Sequence, residues 1–140
     1  MKSLFFTVIS VYLFFCIVLF FFQRKLLYHP TPVANITSEK QVLFDVNGVK
    51  LHGWVINDKN EKALIYYGGN AESIELNINF FKTTLPSYSV YLINYRGYGQ
   101  SEGSPSQNTL FKDSLAIFDK LKQKHKSISI MGRSLGSGVA

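Results

Sequence analysis

The sequence predicts an α/β fold: a mostly parallel sheet with flanking helices, set behind one N-terminal helix of membrane length. Three observations carry this prediction. An uncharged apolar run lies near the start, short apolar segments alternate with stretches of helical period, and Gly, Pro and Asn punctuate the joins between them. The 140 residues fit one domain, and a composition 46% apolar and 17% charged is that of a globular chain.

The apolar run "LFFTVISVYLFFCIVLFFF" (Leu4 to Phe22) carries no charge. As a helix it spans roughly 28 Å, about one bilayer core. A cleaved secretory signal would be shorter and would end in small residues, whereas here "FFFQRKLLYHP" follows with bulky aromatics and then Arg24 and Lys25. The run is therefore read as an uncleaved single-pass anchor over residues 1–25, ahead of both a cleaved signal and a buried soluble helix. Lys2 on one side balances Arg24 and Lys25 on the other, so the sequence leaves the sidedness open.

Residues 26–40, "LLYHPTPVANITSEK", hold two prolines without sustained periodicity and read as an extended linker. From Gln41 the pattern changes. Val42, Phe44 and Val46 alternate with more polar neighbours, Asn47-Gly48 marks a tight turn, and Val49, Leu51 and Val55 return, which together predict a β-hairpin. "ALIYY" (Ala63 to Tyr67) is a continuous apolar strand of the kind buried on both faces. Ile74, Ile78, Phe81 and Leu85 recur at helical spacing, and Tyr88 to Tyr95 form another buried strand. Leu110, Ser114, Ile117, Phe118 and Leu121 then line a helix beginning near Thr109, followed by a fifth strand from Ser127 to Met131. Strands alternating with helices of this length imply parallel crossovers.

Two short stretches carry chemistry. Gly132-Arg133-Ser134-Leu135-Gly136 matches the G-x-S-x-G nucleophile elbow, in which a serine sits at a strained strand-to-helix turn and the glycines let neighbouring backbone pass. It follows an apolar strand and precedes small residues able to open a helix, the context that the motif needs. An ordinary loop with a capping serine is the competing reading; a phosphate loop fits worse, because no Lys-Ser or Lys-Thr follows the glycines. "YYGGNAES" places Gly68-Gly69-Asn70-Ala71 at the end of the third strand. There a backbone amide can face the serine and share an oxyanion hole with the Leu135 amide. Alone, this stretch reads as a glycine turn into a helix.

In the order anchor with "FQRKLLYHPTP", "YYGGNAES", "NYRGYGQSEGSPS" and "MGRSLGSG", the chain resembles the α/β-hydrolase superfamily, and within it membrane-anchored serine hydrolases. The resemblance runs almost from end to end and implies the N-terminal half of that fold, with residues 41–140 a partial hydrolase domain truncated just after the elbow. It implies Ser134 as nucleophile, the amides of Asn70 and Leu135 as oxyanion donors, and Gly132 and Gly136 as elbow glycines. The expected reaction is hydrolysis of a carboxylic ester, thioester or lipid acyl bond. Gly68 departs from the family's usual His-Gly-Asn-Ala, a change expected to alter loop rigidity more than to remove the donor.

In that family an acidic residue and a histidine follow the serine, and nothing of either kind follows Ser134 here. His125 is separated from Ser134 by a strand of roughly 17 to 20 Å, His52 belongs to the early hairpin, and His29 to the linker. Asp113 and Asp119 are expected as surface charges on a crossover helix. Residues 1–140 are accordingly expected to be inactive by themselves, ending on an unpaired apolar strand edge. A membrane-tethered, non-catalytic interaction module and a degenerate remnant are the alternatives.

Partners and cofactors are bounded more loosely. The net charge of +6 falls to +3 once Lys2, Arg24 and Lys25 are set aside, too mild to imply nucleic acid. Lys120, Lys122, Lys124 and Lys126 read as a solvated helix end rather than a lipid or acidic-partner patch. Three scattered histidines and Cys16 give no ligand cluster, so neither a metal nor a cofactor is expected. The expected partners are an acyl-ester substrate and the membrane, with oligomeric state left open.

Overall fold

A computed structural model describes residues 2–34 and 39–140. Helix α1, Lys2–Leu27, has no buried residue, and it is long and apolar enough to cross a membrane. A helix apolar on every side has no stable place against water. The expected linker at 26–40 includes residues 35–38, which lie outside the described residues.

Strands β1 (Lys40–Val46) and β2 (Val49–Ile56) form the hairpin, with Val46 paired to Val49. Asn47 and Gly48 both have left-handed backbone, at φ 53° and 78°, as a two-residue turn of this twist requires. The Gly48 amide donates to the Asp45 carboxylate at 2.9 Å and closes the loop. Strands β3 (Lys62–Tyr67), β4 (Tyr88–Ile93) and β5 (Ser127–Gly132) complete one sheet in the order β1-β2-β4-β3-β5. It is a mixed sheet. The two-residue loop forces β1 and β2 antiparallel, β2 runs antiparallel to β4, and β3 is parallel to both β4 and β5 because helices carry the chain back between them.

A 3-10 turn at Ile74–Asn77 leads into α2 (Ile78–Thr84), which packs on one face of the sheet; α3 (Gln107–Leu121) packs on the other. Successive strand residues point to opposite faces, so Leu64 and Tyr66 meet Ile74, Ile78 and Phe81, while Ala63, Ile65 and Tyr67 join the cluster of Leu110, Ile117 and Leu121. That double burial explains why "ALIYY" lacks a polar alternation. Helix α3 starts two residues before Thr109, because Ser106 caps it: the Thr109 amide donates to the Ser106 hydroxyl, and the Thr109 hydroxyl receives the Ser106 amide.

One expectation is corrected. Asp119 is a surface charge beside Lys122, but Asp113 is buried on the inner face of α3. Its carboxylate takes both Nε and a terminal nitrogen of Arg96, at 2.6 and 2.7 Å. Arg96 comes from the glycine-rich loop after β4, and Asp113 keeps its guanidinium protonated above the ordinary arginine range despite partial burial. The pair ties that loop to α3. His125 is also structural: its ring bridges the Tyr91 hydroxyl at 2.8 Å and the Asn60 carbonyl at 2.9 Å. Strand β5 lies at the sheet edge, leaving Ile130 and Met131 more than two-fifths exposed.

Candidate functional site

The site is built where β3 and β5, side by side and parallel, release the chain at the same end. β5 ends at Gly132, and after Arg133 the chain turns into a 3-10 helix over Ser134–Gly138. Ser134 sits at φ 49°, a left-handed conformation that a serine rarely adopts. The flanking glycines make the bend sterically possible. A Cβ at Gly132 would lie 2.1 Å from the Gly136 carbonyl oxygen, and one at Gly136 would lie 2.0 Å from the Tyr67 carbonyl oxygen. The Arg133 amide donates to Tyr67 O at 3.0 Å, and the Gly136 amide donates to Arg133 O at 2.8 Å, so the turn is tied to the end of β3. Ser134 is left exposed at the crest.

Facing it, Gly68-Gly69-Asn70-Ala71 leave β3 as a corner, with Ala71 also left-handed at φ 56°. A Cβ on Gly69 would stand 3.6 Å from the Ser134 Cβ, so the corner and the serine nearly touch. Two groups hold the corner from beneath. The buried Tyr95 hydroxyl donates to Gly68 O at 2.7 Å. The Glu72 carboxylate accepts from the Gly69 amide at 2.5 Å and from the Tyr66 hydroxyl and Asn77 Nδ2 at 2.7 Å each, with Arg133 3.6 Å away.

The electrostatics follow from those contacts. Burial works against the Glu72 charge, but the Gly69 amide, Tyr66, Asn77 and Arg133 outweigh it and hold the carboxyl below the usual range. Tyr66 is pushed up to about 12 by burial and by that carboxylate, and burial raises Tyr95 further. Ile74, with Glu72 beside it, accounts for Gly68: a Cβ there would lie 2.7 Å from Ile74 Cγ2 and 3.3 Å from the Glu72 carboxylate, so the space of a larger side chain is occupied.

Between corner and turn lies an open cleft of about 400 Å³, walled by residues Gly69 to Ser73 on one side and Arg133 and Ser134 on the other. A larger hollow, about 490 Å³, lies away from it between the last turns of α1 and the start of α3. The structure thus brings together Ser134, Gly132, Gly136 and the corner containing Asn70. Leu135 follows the serine directly, its side chain packed toward the α3 face beside an apolar hollow it shares with Leu27 and Phe111. Among the described residues no histidine lines the cleft.

The Asn70 side chain points to α1. Its Nδ2 donates to Leu27 O at 2.6 Å, and its Oδ1 accepts from the His29 amide at 3.0 Å and the Tyr98 hydroxyl at 2.7 Å. The stretch after α1 continues over the same corner. Thr31 donates its hydroxyl to Glu72 O at 3.1 Å and accepts the Gly99 amide at 2.8 Å, and the Ala34 amide meets the buried Glu75 carboxylate. Sequence reasoning missed Glu72, Tyr95 and Tyr98. Only for Glu72 was there a signal, an acidic residue two positions beyond Asn70 in a glycine turn.

No family model matches the chain. It is 32% identical over 139 residues to the alpha/beta hydrolase domain-containing protein WAV2 of Arabidopsis thaliana, covering 84% of this chain and 45% of that protein. It is 37% identical over 83 residues to the lysophosphatidylserine lipase ABHD12 of Danio rerio, covering 56% of this chain and 22% of that protein. Among solved structures, the Pyrococcus furiosus esterase Pf2001 superposes with a TM-score of 0.66 at 26% identity, over 81% of this chain and 49% of that one. The chain therefore spans about half or less of the length of these relatives. With the mixed five-stranded sheet, the helices on both its faces and these likenesses in hand, the chain belongs to the α/β-hydrolase superfamily.

Proposed function

We propose that this chain carries the nucleophile half of a membrane-anchored serine hydrolase acting on a carboxylic ester, thioester or lipid acyl bond. The observation that carries the reading is Ser134 at φ 49° on the crest of a glycine-flanked turn, directly across from the Gly69-Asn70 corner. In this reading Ser134 Oγ attacks the acyl carbonyl, and its proton passes to a base. The amides of Asn70 and Leu135 stabilise the oxyanion, the alcohol or thiol leaves, and water then releases the acid and regenerates the serine. The esterase likeness and the lipase name of one relative support an acyl substrate, and the length and apolarity of α1 support anchoring.

In this fold the acid and the histidine follow the nucleophile, and residues 1–140 hold neither after Ser134. Purified residues 1–140 exposed to a fluorophosphonate probe are therefore expected to label no more than Ser134→Ala. Robust labelling that disappears in Ser134→Ala would overturn the need for a later base. If the chain, extended in frame to include an acidic residue and a histidine, also failed to label, the nucleophile assignment would fall.

A second reading rests on the exposed Ile130 and Met131 at the β5 edge. In it the chain is a membrane-tethered module that pairs through that edge with a separate chain. Co-purification of such a partner would favour it.

A further inference from the structure

The Asn70 side chain is not needed for the oxyanion role proposed for its backbone, yet three of its four hydrogen-bonding positions are engaged. Two of its three hydrogen bonds reach back 43 and 41 positions, to Leu27 in the last turn of α1 and to His29 just beyond it, and the third goes to Tyr98 in the loop after β4. The contacts from Thr31 to Glu72 and Gly99 extend the same seam. A flexible tether would let the domain drift away from the bilayer; this seam instead ties the corner to the end of α1 by hydrogen bonds.

Helical rise gives the depth. The apolar run ends at Phe22, and Leu27 lies five residues on, about 7.5 Å along the axis. The headgroup layer is roughly 5 to 8 Å thick on each side of the hydrocarbon core. A helix whose apolar run fills the core thus delivers Leu27 O, and with it Asn70, to the outer boundary of the headgroups. Two exposed apolar side chains neighbour this seam, Leu76 sharing a cleft with Asn70 and Phe111 a hollow with Leu27. Leu76, 64% exposed, lines the Ser134 cleft, and Phe111, 40% exposed, lies beside Leu27.

We infer that Asn70 latches the Ser134 cleft to the end of α1 and so holds the Leu76 and Phe111 side chains against the bilayer interface. The inference rests on the reading of α1 as an anchor, but not on Ser134 chemistry. Residues 1–140 carrying Cys16→Ser are reconstituted in phosphatidylcholine vesicles with a nitroxide at Leu76→Cys or, as reference, at Asp119→Cys on the far half of α3. Collision with a water-soluble nickel chelate and with oxygen reports depth.

The label at position 76 is expected to be shielded from nickel and enriched in oxygen collisions relative to position 119. Asn70→Ala should abolish that difference and speed exchange of the His29 amide roughly tenfold. If Asn70→Ala fails to fold by far-UV dichroism, Tyr98→Phe decides. It removes one hydroxyl that contacts both His29 and Asn70 and should shift both readouts the same way. Position 76 colliding with nickel like position 119 in the otherwise native chain would overturn the inference. So would depth and exchange that do not respond to the variant. Either failure leaves the fluorophosphonate test of Ser134 unaffected.

Discussion

Removing the Asp113 carboxylate should destabilise the sheet domain far more than a helix-surface substitution does. The two side chains of this pair are only 14% and 8% exposed, and the contact is bidentate at 2.6 and 2.7 Å. Asp113→Ala strands a guanidinium whose remaining partner is the Val46 carbonyl at 3.5 Å. Breaking a buried pair from one side costs about 3 to 5 kcal/mol, and the residual exposure of Arg96 argues for the lower end, about 3 kcal/mol. For a domain near 100 residues that is a Tm drop of roughly 12 to 24 °C. The assay is thermal unfolding in detergent followed at the sheet signal, for Asp113→Ala, Arg96→Met and the double variant. The double variant should be less destabilised than the sum of the singles, because no lone charge remains. A loss below about 1 kcal/mol for Asp113→Ala, with additive singles, is the behaviour of a surface pair and would refute the argument.

Three further outcomes follow from the geometry. Gly136→Ala drives a Cβ into the Tyr67 carbonyl and should cost at least about 3 kcal/mol, read as a fall in Tm; a shift no larger than that of Gly48→Ala would contradict it. Gly48→Ala meets no neighbouring atom and strains only a positive φ, so it should lose about 1 kcal/mol with the hairpin retained by amide exchange. Glu72 has a depressed carboxyl, so its contribution is present above the ordinary carboxylate pKa of about 4.3 and is lost as pH falls through the lower folded value. Glu72→Gln should therefore lower Tm at neutral pH and flatten its decline on acidification, and parallel acid profiles for the two proteins would count against the clamp.

The hairpin was legible because its turn is local. Asn47-Gly48 specifies left-handed backbone within two residues, and the alternating strands on either side do the rest. The glycines flanking Ser134 stand out in the sequence for the same reason, although not what each would strike: Gly136 is confined by the Tyr67 carbonyl at the end of β3. Period-3.6 spacing identified the helix around Leu110 and Ile117 and named its inner face. Asp113 lies on that face too, although pattern alone places a charged residue outward. Only Arg96, 17 positions earlier in the chain, makes its burial affordable.

Sequence by itself determined the membrane-length apolar helix, the alternation of strands and helices, the tight turns and the serine motif. Each of these depends on backbone preferences or hydrophobic spacing among near neighbours. Tertiary structure alone decided the strand order, with β3 between β4 and β5, and hence that the Gly68-Gly69 corner faces Ser134. It also decided that Asn70 grips the end of α1 and that Ile74 and Glu72 fill the space beside Gly68. Those outcomes join groups distant along the chain through hydrogen bonds and steric contact, and local pattern carries no information about such partners until the sheet has assembled.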